Sequence, residues 1–195
     1  MGRGFSIKAA GLFVLAALCL PAMDAVGAPP PKRRPSVDVG SDTPIRFVSG
    51  PFAGVAVRTG SHLDQPFDAD TPYAQDQAIY AAAGLRLTIH WARLGGGRIW
   101  TTAADPALLD EWVEILRKTN SGLTTIVLES SGEPVNGLPA VTKTVVYTGA
   151  DRRCGVFVLG RDANRISGHL CGVGSQAIPL RATLLGLSIK GVVGP

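Results

Sequence analysis

The sequence predicts an α+β fold: a mixed but mainly antiparallel sheet of about six to eight strands, with two or three helices packed on it. Three observations lead to this prediction. Most apolar runs are short and alternate with polar residues, as half-buried strands do. Turn residues separate many of these runs by a few positions, and strands joined by short turns pair antiparallel. A doubly wound parallel sheet would need a helix between almost every pair of strands, and the chain has too few helical segments for that.

Strands are predicted wherever an alternating or apolar run lies between turn signals. Residues 85–94 show the pattern best, because Leu87 and Ile89 share one face while Thr88 and His90 share the other. The three glycines that follow predict a hairpin turn into the next strand. In chain order, the predicted strands are residues 45–49, 54–58, 85–94, 98–102, 123–129, 141–148, 154–159, 166–173 and 187–193.

Three helices are predicted from their start and stop signals. A Thr-Pro pair can cap and open a helix over residues 72–83, and an Asp-Pro pair does the same for residues 106–119. The second helix also has an apolar stripe at spacings of three and four, with acidic residues near its start and basic residues at its end. A short helix is predicted over residues 179–185, where Leu180 and Leu184 share one face.

The first 44 residues are predicted to be a targeting signal and a tether. Residues 1–27 combine a basic start, an apolar run and small residues before the expected cleavage site, which is the layout of a secretory signal peptide. The alternative is a retained membrane anchor, but the apolar run is shorter than the roughly 20 residues that span a bilayer. Residues 28–44, rich in proline with a short basic run, predict a solvated spacer; the alternative is weak contact with an acidic lipid surface. Residues 45–195 are predicted to form a single globular domain.

Cys154 and Cys171 would be the only cysteines left after removal of the signal peptide, and an even count in an exported chain predicts a disulfide. A tight turn at residues 162–163 would place them opposite each other in the last predicted hairpin, with His169 opposite Val156. A metal pair or a redox pair is the alternative. The first needs more ligands, and the second usually has Cys-x-x-Cys spacing. In the loop-entropy model such a bond contributes about 3 kcal/mol.

His90 and Trp100 are the candidate functional side chains. His90 lies on the polar face of its predicted strand beside a glycine turn, where it could act as a general base; the alternative is a structural histidine. Trp100, unlike the other two tryptophans, falls on no predicted core face, so it is a candidate for stacking on a sugar or a peptide. The spacing of His, Cys, Asp and Glu matches neither a zinc site nor the calcium loop, so no metal and no cofactor is predicted.

Composition and motifs favour an exported binding protein. The net charge of +4 is small and is not clustered in the predicted domain, which argues against a nucleic-acid partner. The sequence has no nucleophile elbow, Ser-x-x-Lys or dinucleotide fingerprint. Its layout resembles that of small exported proteins of Gram-negative bacteria, which implies a periplasmic or secreted location without a stable transmembrane segment in the mature chain. We expect a non-enzymatic binding or structural protein with a disulfide, whose partner is an envelope protein or a glycan. The alternative is a small periplasmic hydrolase that uses His90 as its base.

Overall fold

Ten β-strands, two α-helices and a short 3₁₀ turn make up the part of the chain that the computed structural model describes. That part comprises residues 36–68, 70–120, 123–148, 151–174 and 177–193, all within one compact unit. The predicted signal peptide and the first part of the predicted tether lie outside the described residues. The elements are β1 (Val37–Asp38), β2 (Ile45–Phe47), β3 (Thr59–Pro66), β4 (Pro72–Ala82), β5 (Leu85–Leu94), α1 (Pro106–Thr119), β6 (Thr124–Ser131), β7 (Ala140–Thr148), β8 (Arg152–Arg161), β9 (Asn164–Val173), α2 (Leu180–Leu185) and β10 (Leu187–Ile189).

Eight of the strands form one sheet in which every neighbouring pair is antiparallel. The order is β1-β3-β4-β5-β9-β8-β7-β6, so two meanders, β3 to β5 and β6 to β9, join where β5 pairs with β9. Strands β2 and β10 form a separate two-stranded antiparallel sheet. The predicted antiparallel sheet is therefore confirmed. The α+β label fits only roughly, because the described helices have 14 and 6 residues and the strands dominate.

The large sheet buries side chains on both faces, since successive residues of a strand point to opposite sides. Helix α1 lies over β7, β8 and β9 on one side, here called the α1 face. Helix α2 and the β2–β10 sheet pack against the other side, here called the α2 face. The buried core of the α1 face consists of Leu109, Leu116, Val145, Tyr147, Cys154, Val156, Val158 and Cys171. That of the α2 face includes Tyr80, Leu87, Ile89, Phe157, Leu159, Ile166 and Leu170.

The helix predicted for residues 72–83 is wrong, because this segment forms strand β4. β4 pairs with β3 on one side and with β5 on the other, so its backbone donors and acceptors are satisfied by neighbouring strands. Ala78 and Tyr80, two positions apart, are both buried in the α2 face, which is the periodicity of a strand. The Thr-Pro pair instead follows the turn between β3 and β4, where the Phe67 N–H donates to the Thr71 carbonyl.

Two strand predictions are also wrong. Residues 98–102 leave the sheet after the glycine turn and lead into α1, and the Trp100 N–H donates to the Asp162 carbonyl of the β8–β9 turn. Residues 54–58 form no strand, and the strand comes directly afterwards as β3. The β3 sequence, TGSHLDQP, has few of the β-branched and aromatic residues that predict strands. Within the segment predicted as tether, residues 37–38 form β1 and pair with β3.

Other elements are where the sequence predicts them. Helix α1 has the predicted bounds, and the Asp105 carboxylate accepts from the Ala107 N–H at 2.9 Å, as a helix cap does. The β8–β9 hairpin turns at residues 162–163, and Val156 lies opposite His169. The short helix α2 and the strand β10 follow within the two last predicted segments.

Gly168 allows the two meanders to approach closely at their junction. It lies on β9 opposite Ile89 of β5. Its φ is +156°, and a Cβ added there would lie 2.1 Å from the Thr88 carbonyl oxygen, which is far inside van der Waals contact. Only glycine therefore fits at this point of the sheet.

Candidate functional site

Four side chains from separate segments form an aromatic cluster at the end of the sheet that carries the β3–β4 and β8–β9 turns. Phe67 follows β3, Tyr73 lies on β4, Trp100 lies between β5 and α1, and Arg165 lies on β9. The Phe67 ring centroid is 5.6 Å from that of Trp100 and 5.9 Å from that of Tyr73. The Arg165 guanidinium carbon lies 3.9 Å from the centroid of the Trp100 ring, a cation–π contact. We call these four residues the loop-end cluster.

Hydrogen bonds hold the loop-end cluster rigidly. The Trp100 indole N–H donates to the Ala163 carbonyl at 3.0 Å, which ties the β5–α1 segment to the β8–β9 turn. The Arg165 guanidinium donates to the carbonyls of Thr102 and Ala103, so it also holds this segment. The Tyr73 hydroxyl is partly buried, and burial raises its pKa above the ordinary value. Trp100 therefore serves first to anchor the segment, with one ring face covered by Arg165.

The cluster supports two exposed apolar side chains, here called the loop-end patch. Phe67 is 57% exposed, and Ile99, the residue before Trp100, is 65% exposed. The exposed charged residues Asp68, Asp70 and Arg98 lie beside them in the chain. The Asp68 carboxylate accepts from the Asp70 N–H at 3.0 Å, and this hydrogen bond lowers the Asp68 pKa. Phe67 and Ile99 are thus exposed apolar side chains with exposed charged residues next to them in the chain.

His90 lies on the α1 face, beneath helix α1. Its Nδ1 is 2.7 Å from the Gln75 amide nitrogen and its Nε2 is 3.3 Å from that of Gln77, while the Trp112 ring centroid is 5.0 Å from its own. The Gln75 oxygen accepts from Tyr73, so the Gln75 amide donates to Nδ1. A neutral imidazole has one acceptor nitrogen, so Nε2 carries the proton and the Gln77 amide nitrogen lies beside it without donating to it. Nδ1 is occupied and α1 covers the ring, so His90 could serve as a base for a substrate only after α1 moves away.

His169 is the second histidine beneath α1. Its ring centroid is 5.6 Å from that of Trp112, so the Trp112 ring contacts both histidines. Burial is the main cause that lowers the pKa of each histidine to about 4, and for His169 the charge interactions with His90, Arg152 and Arg86 add to it. Within the described residues, the buried His169 Nδ1 has no hydrogen-bond partner, and neither has the Trp112 indole nitrogen. Because their pKa values are about 4, the rings of His90 and His169 are both neutral at pH 7.

A third polar group, on the α2 face, was not predicted from the sequence. The buried Asp76 carboxylate contacts His62 Nδ1 at 2.7 Å and accepts from the Arg93 guanidinium at 2.8 Å. Arg93 in turn lies 4.0 Å above the Trp91 ring, whose indole N–H donates to Asn164. The incorrect helix assignment hid this group, because it placed Asp76 on a helix. The strand registers of β3, β4 and β5 bring the side chains of His62, Asp76 and Arg93 together.

The predicted disulfide is confirmed. Cys154 and Cys171 lie directly opposite each other on β8 and β9, and their sulfur atoms are bonded. Both residues are buried in the core of the α1 face, below helix α1. The bond therefore joins β8 and β9, the last two strands of the second meander, and leaves no exposed reactive thiol at these positions.

A cleft of about 430 Å³ opens on the α2 face beside the β2–β10 sheet. Its walls include Phe47, Phe52 and Tyr80, which are almost fully buried, and its rim includes the exposed Arg46. The cleft therefore offers a ligand little apolar surface.

In the described part of the chain, no three His, Cys, Asp or Glu side chains gather as metal ligands do. None of the described helices is long and apolar enough to cross a bilayer.

The chain matches no protein-family model, and no curated protein or solved structure is significantly similar to it. Function must therefore be argued from the geometry of the described residues. Of the sequence candidates, Trp100 lies in the loop-end cluster, His90 lies beneath α1, and the cysteines form a structural bond. The structure keeps Trp100 and His90 in separate places, although the Tyr73–Gln75 hydrogen bond links their surroundings.

Proposed function

We propose that this chain is an exported, non-enzymatic binding protein of the bacterial envelope, and that the loop-end patch contacts its partner. The observation that carries the proposal is the pair Phe67 and Ile99, large apolar side chains that are more than half exposed on a rigid support. The predicted signal peptide and the buried disulfide support export, because disulfides persist in oxidising compartments.

The patch suits a protein partner better than a glycan. Sugar rings stack on open aromatic faces, and one face of Trp100 is occupied by Arg165. Ile99 offers an aliphatic side chain, which is typical of an anchor that enters a pocket of a protein partner. The exposed charged residues beside Phe67 and Ile99 in the chain, such as Arg98 and Asp70, fit the polar rim of a protein–protein interface.

Phe67→Ser and Ile99→Ser variants test the loop-end patch. The mature chain carrying a photo-crosslinking residue at position 99 is used to identify the partner in envelope extract, and affinity is then measured with purified components. Each variant is expected to weaken binding at least tenfold, because an apolar anchor of the interface is lost. The thermal midpoint is expected to stay unchanged in Ile99→Ser and to fall by a few degrees in Phe67→Ser, which also loses its ring contacts with Trp100 and Tyr73. Val173→Ser is the matched control, since Val173 is 78% exposed at the opposite end of β9. Equal weakening by the control, or binding unaffected by both patch variants, would refute the assignment.

Hydrolysis is the second candidate function, and one observation favours it. The buried Asp76 contacts Nδ1 of the partly exposed His62 and leaves Nε2 free of any hydrogen bond within the described residues. A carboxylate that orients a histidine in this way is a general-base arrangement. His90, the base proposed from the sequence, would need α1 to be displaced. If a screen of ester and amide substrates detects activity, His62→Ala is expected to abolish it; activity that survives in His62→Ala and is lost in His90→Ala would restore His90 as the base.

A further inference from the structure

Strand β6 is the outermost strand of the eight-stranded sheet. β7 pairs with one of its edges, and no described strand pairs with the other. Three consecutive apolar residues in it are exposed: Ile126 by 42%, Val127 by 45% and Leu128 by 54%. An open backbone edge therefore coincides with exposed apolar side chains.

Natural sheets usually protect such edges with charges, proline or a very short strand. The opposite edge of this sheet follows that rule: β1 has two residues, and the part of β3 that β1 leaves open contains Asp64 and Pro66. β6 differs, because its segment 124–128 is uncharged and contains neither proline nor glycine. The protective features within β6, a bulge between Val127 and Glu129 and the charge of Glu129 itself, come after most of this segment.

We propose that β6 pairs with β6 of a second copy of this chain, antiparallel about a two-fold axis, so that the two sheets become continuous. A two-fold interface needs a surface that is complementary to itself. Segment 124–128 meets this need. When it pairs with itself, no charge lies opposite a like charge, and threonines and apolar residues lie opposite one another.

Both faces of the sheet would gain apolar burial in such a dimer. Ile126 is paired with Val146 of β7 and Val127 with Val145, and successive residues of a strand point to opposite faces. Val145 belongs to the core of the α1 face, so Val127 lies beside an existing apolar cluster. A second β6 would therefore extend the hydrogen-bond ladder and cover apolar side chains on each side of it.

The oligomeric state of the purified mature chain tests the proposal by light scattering and sedimentation velocity over a dilution series. The native chain is expected to be a dimer. Ile126→Lys and Val127→Lys, each made singly, are expected to weaken dimerisation at least a hundredfold while the far-ultraviolet circular dichroism is kept. Val173→Lys, at an exposed position away from β6, is the matched control and is expected to leave the dimer intact.

Three outcomes would overturn the inference. The first is a native chain that stays monomeric across the series. The second is a dimer that both folded β6 variants retain. The third is a dimer lost on deletion of residues 28–35 with β6 unchanged, which would assign the interface to the N-terminal segment. A patch variant such as Phe67→Ser is expected to remain dimeric, so failure of this proposal and failure of the proposed function are separable.

Discussion

Lowering the pH from 7 to 4 is expected to reduce the free energy of unfolding by about 5 kcal/mol through His90 and His169 alone. Burial beneath α1 lowers the pKa of each to about 4, whereas an unfolded histidine titrates near 6.5. Between these values the unfolded chain binds more protons than the folded one. The contribution of the two neutral histidines to the free energy of unfolding is therefore fully present above pH 6.5 and is lost as the pH falls towards 4. Once both histidines are protonated in the folded chain as well, they change the free energy of unfolding no further.

The positions of His90 and His169 strengthen the expectation that the chain is less stable at low pH. Both rings contact Trp112, so protonation would place two positive charges under one helix, near the additional charges of Arg86 and Arg152. We expect the acid form to lose the packing of α1 first, because α1 covers the two histidines.

Urea unfolding at a series of pH values measures the effect, with His90→Gln and His169→Gln as variants. Between about pH 5 and 6, the slope of the free energy of unfolding against pH is expected to report uptake of about two protons on unfolding in the native chain and about one in each variant. Near-ultraviolet circular dichroism, to which Trp112 contributes together with the other tryptophans, gives a second readout of the packing of the helix. The same pH dependence in the native chain and both variants would contradict the assignment to these histidines.

Removal of the disulfide is expected to lower the free energy of unfolding by about 3 kcal/mol. The bond closes a loop between residues 17 positions apart, and its loss enlarges the conformational freedom of the unfolded chain. The folded sheet is expected to persist, because the β8–β9 ladder holds the same two positions opposite each other without the bond.

A Cys154→Ala/Cys171→Ala double variant and the reduced native chain separate two contributions. Both lose the cross-link, and the double variant also loses two buried sulfur atoms, so it is expected to be the less stable of the two. Reductant is expected to leave the double variant unchanged, which controls for other effects of the reagent. A native chain equally stable in both redox states would show that the bond adds nothing to stability.

The correct predictions rest on local signals. Helix α1 carries a cap, a proline at its start and an apolar stripe, and the structure agrees with all three. The cysteine pairing follows from one tight turn, so its register could be counted along the chain. In both cases the residues that decide the structure are close in sequence.

The incorrect element predictions lie where pairing between strands far apart in the sequence decides the structure. β4 reads as a helix start because Thr71 and Pro72 are a strong local signal, yet β3 and β5 enclose the segment and impose a strand. β3 itself has little local strand preference and is held by its neighbours.

The candidate site was predictable only in part, for the same reason. Trp100 was identified because it fell on no core face, but Phe67, Tyr73 and Arg165 come to it from three other segments. His90 was correctly placed on the polar face of β5, and the sequence did not indicate that α1 covers that face. The association of His62 with Asp76 depends on the register of β3 and β4, and neither of these strands was predicted.

The order of strands also sets the order of assembly. Each meander pairs only strands that are consecutive along the chain, so each can form from short loops at small entropic cost. Two ladders close long loops: β5–β9, which joins the two meanders, and β2–β10, which pairs residues 45–47 with residues 187–189. The tight approach at Gly168 makes the β5–β9 ladder intolerant of misalignment. We therefore expect the β5–β9 ladder to form after both meanders and to limit the folding rate. Cys154 and Cys171 both lie in the second meander, so their oxidation can precede that step and pre-align β8 and β9 for it.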